Sequence, residues 1–252
     1  MTYNVSYYMN IGRRNNQEDC IFFNGKIFQE ENIDISPATK INSSKALFAV
    51  CDGMGGHSKG EWASRFVCNK LENSLKLPDF NSYNFQDFIK GIQKEMEAEN
   101  MPNSGTTLAS VALNGSNNII FNAGDSRVYK ITDEDIVCLS HDDSLVQVYL
   151  DKGSLMPEEA FDHPNKNVIT FGLGDVFKNE WDKDDKKVYI REDILNKNEY
   201  YLLCTDGVND VLRDNEIFNL LRPDPFEKIQ DFVEFLKERM NDNFSFIMIG
   251  NG

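Results

Sequence analysis

The chain has 252 residues, of which 41 are acidic and 26 basic, for a formal charge of −15, and 40% are hydrophobic. That hydrophobic share supports a sizeable core and excludes a disordered chain. The acidity excludes a general nucleic-acid binder, which needs a basic face for phosphate backbones, and it favours divalent cations as partners.

In chain order, residues 5–9 and 20–23 read as short strands about a polar turn. Residues 28–45 are polar, contain Pro37 and read as a surface loop. An apolar strand follows at 46–51 and ends in Asp52-Gly53. Residues 60–75 have helical spacing, with Trp62, Phe66 and Leu71 as core candidates, and 84–99 form a second helix with Phe85, Phe88, Ile89, Ile92 and Met96 on one face. Strands are expected at 106–113, 118–122 and 126–132. Residues 142–174 mix helix and loop, and 175–192 are heavily charged. A further apolar strand, 199–204, ends at Thr205-Asp206-Gly207; helices at 214–221 and 225–240 and a strand at 244–249 close the chain. Strands and helices arrive in runs, which argues for antiparallel sheets with packed helices rather than βαβ alternation. With no repeat, low-complexity tract or linker visible, residues 1–252 read as one domain.

The five cysteines, Cys20, Cys51, Cys68, Cys138 and Cys204, are odd in number and form no Cys-x-x-Cys pair. Reduced thiols are expected rather than a disulfide framework or a zinc ribbon. Residues 1–10 lack the basic start and apolar run of a signal peptide, and no apolar stretch approaches the roughly 18 residues of a membrane span. A soluble, cytoplasmic protein is expected, with no membrane and no nucleic acid among its partners.

Two apolar strands each deliver an Asp-Gly pair, Asp52-Gly53 and Asp206-Gly207. A carboxylate at the end of a buried strand is rigidly held, and the glycine lets a ligand approach the backbone. Asp-Gly is also a common turn dipeptide. Asp52 opens a glycine-rich loop, Asp52-Gly53-Met54-Gly55-Gly56-His57, ahead of a helix. It lacks the lysine and hydroxyl residue of a nucleotide P-loop. No cysteine has an arginine six positions on, which excludes a cysteine-based phosphatase.

That loop is similar to the metal-dependent, type 2C family of serine/threonine protein phosphatases, in its bacterial branch. Other motifs follow in order. Arg14-Asn15-Asn16-Gln17-Glu18-Asp19 resembles the family's opening element, and Ser104-Gly105-Thr106-Thr107 its central Gly-Thr-Thr. Gly124-Asp125-Ser126-Arg127, the acidic Asp142-Asp143-Ser144, Thr205-Asp206-Gly207 and Asp242-Asn243 complete the set. The resemblance spans residues 5–249.

The resemblance implies an αββα sandwich of two antiparallel β-sheets flanked by helices, an α+β fold with a flap at about 142–174. It implies two or three divalent cations, magnesium or manganese, which suit hard oxygen ligands. The metal-holding set it implies is Asp52, the Gly53 carbonyl, Glu18, Asp206, Asp242 and, at a third position, Asp125, with Asp19 and Asn243 orienting them. A metal-activated water would attack phosphorus in line, with no phosphoenzyme, and Arg14 would grip the phosphoryl oxygens. His57 is a candidate general acid; in the animal branch a histidine directly follows Asp-Gly, where this chain has Met54, and a structural role for His57 is as good a reading. The expected partners are phosphorylated proteins, targets of a cognate serine/threonine kinase among them, and the protein is expected to be a monomer. A phosphatase-like binding module with weakened catalysis and a hydrolase of small phosphate esters are the alternatives. The arginine that many bacterial members carry near position 171 is replaced by Phe171. His141 and His163 read as flap or surface residues, and Cys51 and Cys204 as core.

Overall fold

The computed structural model describes residues 2–43, 45–55, 59–77, 79–115, 117–183 and 187–251. The chain begins with strands β1 (Tyr3–Asn10), β2 (Asp19–Phe23), β3 (Lys26–Phe28), β4 (Asn32–Ile33), β5 (Thr39–Ile41) and β6 (Lys45–Met54). Helix α1 (Lys59–Leu71), a 3-10 turn at Glu72–Lys76 and helix α2 (Ser82–Ala98) follow. Next come β7 (Gly105–Thr106), β8 (Leu108–Asn114), β9 (Asn118–Ala123), β10 (Arg127–Ile131) and β11 (Ile136–Cys138). The stretch expected to form the flap contains α3 (Leu145–Asp151) and α4 (Pro157–Ala160); a 3-10 turn (Asp175–Phe177) leads into α5 (Lys178–Trp181). The last stretch is β12 (Tyr189–Asp193), β13 (Tyr200–Cys204), α6 (Asp206–Asn209), α7 (Asp214–Leu221), α8 (Pro225–Lys237) and β14 (Phe244–Asn251).

The strands form two antiparallel sheets. One runs β11-β10-β13-β14-β1-β4, with β5 also on β1; the other runs β12-β9-β8-β6-β2-β3, with β7 on the end of β6. The sheets pack face to face. Within β6, Ala46, Phe48 and Val50 point into the inter-sheet core with Val5, Ile21, Val111, Leu203 and Ile247. The alternate residues Leu47, Ala49 and Cys51 point outward, under α1 and α2. Both faces of β6 are therefore covered, which is why its sequence is an unbroken apolar run rather than an alternating one. On the other sheet, Leu202, Cys204, Phe246 and Met248 pack beneath α7 and α8, against Ile217, Phe232 and Val233. The layers are helix, sheet, sheet, helix, as expected.

Several local expectations change. Helix α1 buries Gly60, Ala63, Ser64, Val67, Cys68 and Leu71, while Trp62 and Phe66 are only partly buried against that cluster. Small residues face the sheet because α1 runs close to β6; the large aromatics are left at its flank. In α2 the buried stripe is Phe85, Ile89, Ile92, Gln93 and Met96, with Phe88 at the margin and the Asn81 side chain capping the helix by accepting from the Asn84 N–H at 2.8 Å. The 28–45 stretch is not all loop: β4 and β5 add to the edge of β1. The charged 175–192 stretch contains β12, paired to β9. Phe171 is fully buried, its ring tilted against Trp181 at 4.8 Å, so that position is part of the core.

Register places the acidic residues at one end of the sandwich. Asp19 on β2 lies opposite Asp52 on β6, and Gly53 lies opposite Thr106. Asn10, at the end of β1, pairs with Phe244, which brings the 11–18 loop beside Asp242 and Asn243.

Candidate metal centre

β6 continues through Asp52 to Met54, held there by β7. The backbone of Asp52 is clamped: its N–H donates to Thr107 Oγ1 at 2.9 Å, and its carbonyl accepts from the Thr107 N–H at 2.9 Å and from Thr106 Oγ1 at 2.9 Å. Thr107 Oγ1 also meets Ser126 Oγ at 2.7 Å. The Gly-Thr-Thr and Gly-Asp-Ser elements thus serve as a brace for Asp52. Gly53 is glycine because α1 crosses it: an added Cβ would lie 2.0 Å from the Gly60 carbonyl oxygen. The same crossing leaves Gly60 2.7 Å, by a notional Cβ, from Glu18 Oε1, so Gly60 is a residue of the site that the sequence marked only as a helix start.

Asn243 ties the opening loop to the closing strand. Its Oδ1 accepts from the Glu18 N–H at 2.8 Å, and its Nδ2 donates to the carbonyls of Ile11 at 2.8 Å and Asn16 at 3.0 Å. Asp19 is fully buried; its Oδ2 accepts from Thr205 Oγ1 at 2.9 Å, and that hydroxyl oxygen accepts from the Ser245 N–H at 3.0 Å. Arg14 pairs with Asp242 through Nη2 and Oδ2. Asp206 opens the short helix α6.

Arg14, Glu18, Asp52, Gly53, Asp206 and Asp242 line one cleft of about 680 Å³. Asp125 lines an adjoining cavity of about 320 Å³ beneath the flap, with Arg127, Asp142 and Asp210. Arg127 holds Asp142 by its Nε and Nη2, at 3.0 and 2.7 Å. His57 lies outside the described residues. His141 pairs with Asp151 at 3.2 Å and His163 Nδ1 accepts from the Asn165 N–H at 3.1 Å; neither lines the cleft with Asp52. Met54 of the glycine-rich loop also lines the cleft, as do Asn103, Asn167, Ile169, Val176 and Phe177, which no motif in the sequence marked.

The electrostatics are those of crowded, desolvated carboxylates. Burial, followed by repulsion from Asp206 and Asp19, pushes Asp52 well above the usual carboxylate range. Burial first, then Asp206, Asp142 and Asp210, does the same to Asp125. Burial and the charge of Asp210 raise Asp206 to about 6, and burial raises Asp19 to about 8. Buried oxygens of Asp19, Asp125 and Asp206 (Oδ1 in each) have no hydrogen-bond partner. Buried carboxylate oxygens left without a partner beside a cleft call for a cation. Among the described residues no three acidic, histidine or cysteine side chains close around a point by themselves. That donor set fits a hard ion that keeps several waters and takes few protein ligands, as magnesium does.

The sequence profile of the family described as Protein phosphatase 2C matches residues 34–243. Protein phosphatase PhpP of Streptococcus pneumoniae is 30% identical over 204 residues, 77% of this chain and 80% of that protein. Serine/threonine protein phosphatase PstP of Mycobacterium tuberculosis is 30% identical over 199 residues, 75% of this chain; the match spans 37% of PstP's own length. The crystal structure of serine/threonine phosphatase Stp1 from Staphylococcus aureus superposes with a TM-score of 0.79 at 26% identity, covering 98% of this chain and 94% of that one. A PstP catalytic domain crystallised in complex with two manganese ions shares the fold, with a TM-score of 0.73 at 22% identity over 99% of this chain and 98% of that one. Layered sandwich and acid-lined cleft are those of a metal-dependent phosphatase. The chain belongs to the protein phosphatase 2C family, the metal-dependent serine/threonine protein phosphatases.

Proposed function

We propose that this chain is a single catalytic domain that hydrolyses phosphoserine and phosphothreonine in proteins, using two or three divalent cations, magnesium or manganese. Asp52, the Gly53 carbonyl, Asp206 and Asp242 hold the cations with Glu18, and Asp125 serves a further position. When bound, the cations supply Lewis acidity, which acidifies water and neutralises phosphoryl charge. The chain's residues do the rest. Asp19, fixed by Thr205, and Asn243, fixed between two loops, orient the acidic groups and their waters. Arg14 leaves Asp242 to grip the phosphoryl oxygens with its planar fork. The observation that carries this reading is the convergence, at one end of the sandwich, of buried carboxylates with unpartnered oxygens. Phosphorylated proteins, including those marked by a cognate kinase, are the proposed substrates, and the protein acts as a cytoplasmic monomer. No helix among the described residues is long and apolar enough to cross a membrane.

The test is turnover on phosphoserine, phosphothreonine and phosphotyrosine peptides after EDTA treatment and again with added manganese. The expected result is no release of phosphate in EDTA and, with manganese, hydrolysis of the first two at the expense of the third. Full turnover in EDTA would overturn the reading.

A further inference from the structure

We propose that Met54, Val176, Phe177 and the flap residue Ile169 form an apolar subsite that receives an apolar side chain flanking the phosphorylated residue of the substrate. This rests on the phosphatase reading above and specifies what the same cleft selects. The four side chains line the cavity that also contains Asp52 and Asp206, within reach of residues beside one whose phosphate meets the acids.

Three of the four form one surface, because they share a floor. A Cβ placed on Gly105 would lie 2.6 Å from Val176 Cγ2, 3.1 Å from Met54 Cγ and 3.2 Å from Phe177 Cε2. Glycine at 105 is what allows them to close over the β7 backbone. Phe177 is 6% exposed and anchors the turn, while Val176 beside it is 47% exposed. The Val176 backbone is nevertheless fixed. Its N–H donates to the Ser104 carbonyl at 3.2 Å, and the preceding Asp175 accepts from the Asn103 N–H and from Lys178 Nζ, each at 2.9 Å. Ile169 is held as firmly at the flap base: it bridges to Ser144, and Leu145 N–H and Thr170 N–H donate to Val168 and Asp143 carbonyls at 2.8 and 2.7 Å. A single exposed valine needs no explanation. A rigid, contiguous apolar wall inside a polar cleft has the make-up of a recognition site.

Solvation decides the occupant. A carboxylate next to the phosphorylated residue would lose water against Val176 and Ile169 with no partner in return, and a small polar side chain would gain no burial. An aliphatic side chain gains burial against Val176 and Ile169, a difference of about tenfold for a partly enclosed site.

The experiment compares kcat/KM, with manganese, on phosphothreonine peptides that differ only in the residue on either side of phosphothreonine: Leu, Ser or Asp. Hydrolysis of p-nitrophenyl phosphate by the same preparation is measured alongside. The Leu peptide should exceed the Ser peptide by about tenfold and the Asp peptide by more. In Val176→Ser and in Ile169→Ser the Leu-to-Ser ratio should fall toward one. Equal rates on Leu and Ser peptides at both flanking positions, in a preparation that hydrolyses p-nitrophenyl phosphate, would overturn the subsite and leave the phosphatase reading standing; so would an unchanged ratio in both variants. No manganese-dependent turnover of any of these esters would overturn the phosphatase reading, and the subsite with it.

Discussion

Asp206 is held near Asp52 with one oxygen buried and unpartnered, and burial raises both groups. In the metal-free protein such a charge is a liability. Asp206→Asn should therefore abolish nearly all manganese-dependent turnover while leaving the metal-free fold as stable or about 1 kcal/mol more so, since an amide carries no charge to bury. Turnover assays and thermal unfolding in EDTA check this together. A variant that keeps wild-type rates, or one whose metal-free melting temperature drops sharply, contradicts the assignment. At this scale Asp52 and Asp206 were legible, because Asp-Gly after an apolar run is a local pattern; Glu18, Asp125 and Asp242 were named only through the family resemblance. Thr107 and Thr205 stand in the quoted motifs, but their roles, fixing Asp52 and Asp19 by their hydroxyls, were not legible. A hydroxyl carries no periodicity and takes its role only from the partner that folding brings to it. Gly60 escaped for a similar reason: the need for glycine there arises from the crossing of α1 over Gly53, which no stretch of sequence contains.

At the scale of elements, the flap is pinned to the body by a few polar and aromatic contacts. Lys166 reaches Asp210 at 3.3 Å and Arg213 reaches Asp162 at 2.7 Å. Both cations also lie over the Phe161 ring, at 5.1 and 4.3 Å. Phe161→Ala removes the surface on which the two cations rest, at a cost of about 1 kcal/mol for each contact. Amide hydrogen exchange across 145–168 should quicken by about tenfold or more while the sheet amides keep their protection. Unchanged exchange in the flap would show that the ring is not what holds it. The long buried strands were readable because both their faces are covered and their residues are uniformly apolar. β4, β5 and β12 were not: they are short edge strands, with polar or charged residues that face water on one side. Such residues guard an edge against pairing with another chain, and they erase the strand signal in the process. The large aromatics of α1 misled for a converse reason, since close approach to β6 favours small residues and leaves Trp62 and Phe66 at the margin.

For the whole molecule, the fold gathers acids from both ends of the chain. The Arg14–Asp242 pair spans 228 residues in sequence, made adjacent by the β1–β14 pairing. Antiparallel sheets with packed helices were legible from runs of strands and helices, and the sandwich from the family resemblance, but this register was not, because pattern alone does not say which strands meet. The consequence is thermodynamic. Asp19, Asp52, Asp125 and Asp206 all have folded-state values above the ordinary one, by burial first. The folded protein therefore binds protons that the unfolded chain has released. Stability from these groups is complete below about pH 4 and is lost as pH rises through their folded values, about 6 for Asp206 and about 8 for Asp19. In EDTA the melting temperature should fall between pH 5 and pH 8. Excess magnesium or manganese should restore more at pH 8, where the cation replaces the lost protons. Equal metal stabilisation at both pH values would contradict this.

The most direct measurement is anomalous scattering from crystals grown in manganese. The account predicts peaks in the cleft at about 2.1 Å from carboxylate oxygens of Asp52 and Asp206. A well-ordered cleft with no such peak, or manganese bound only away from these two residues, would contradict it.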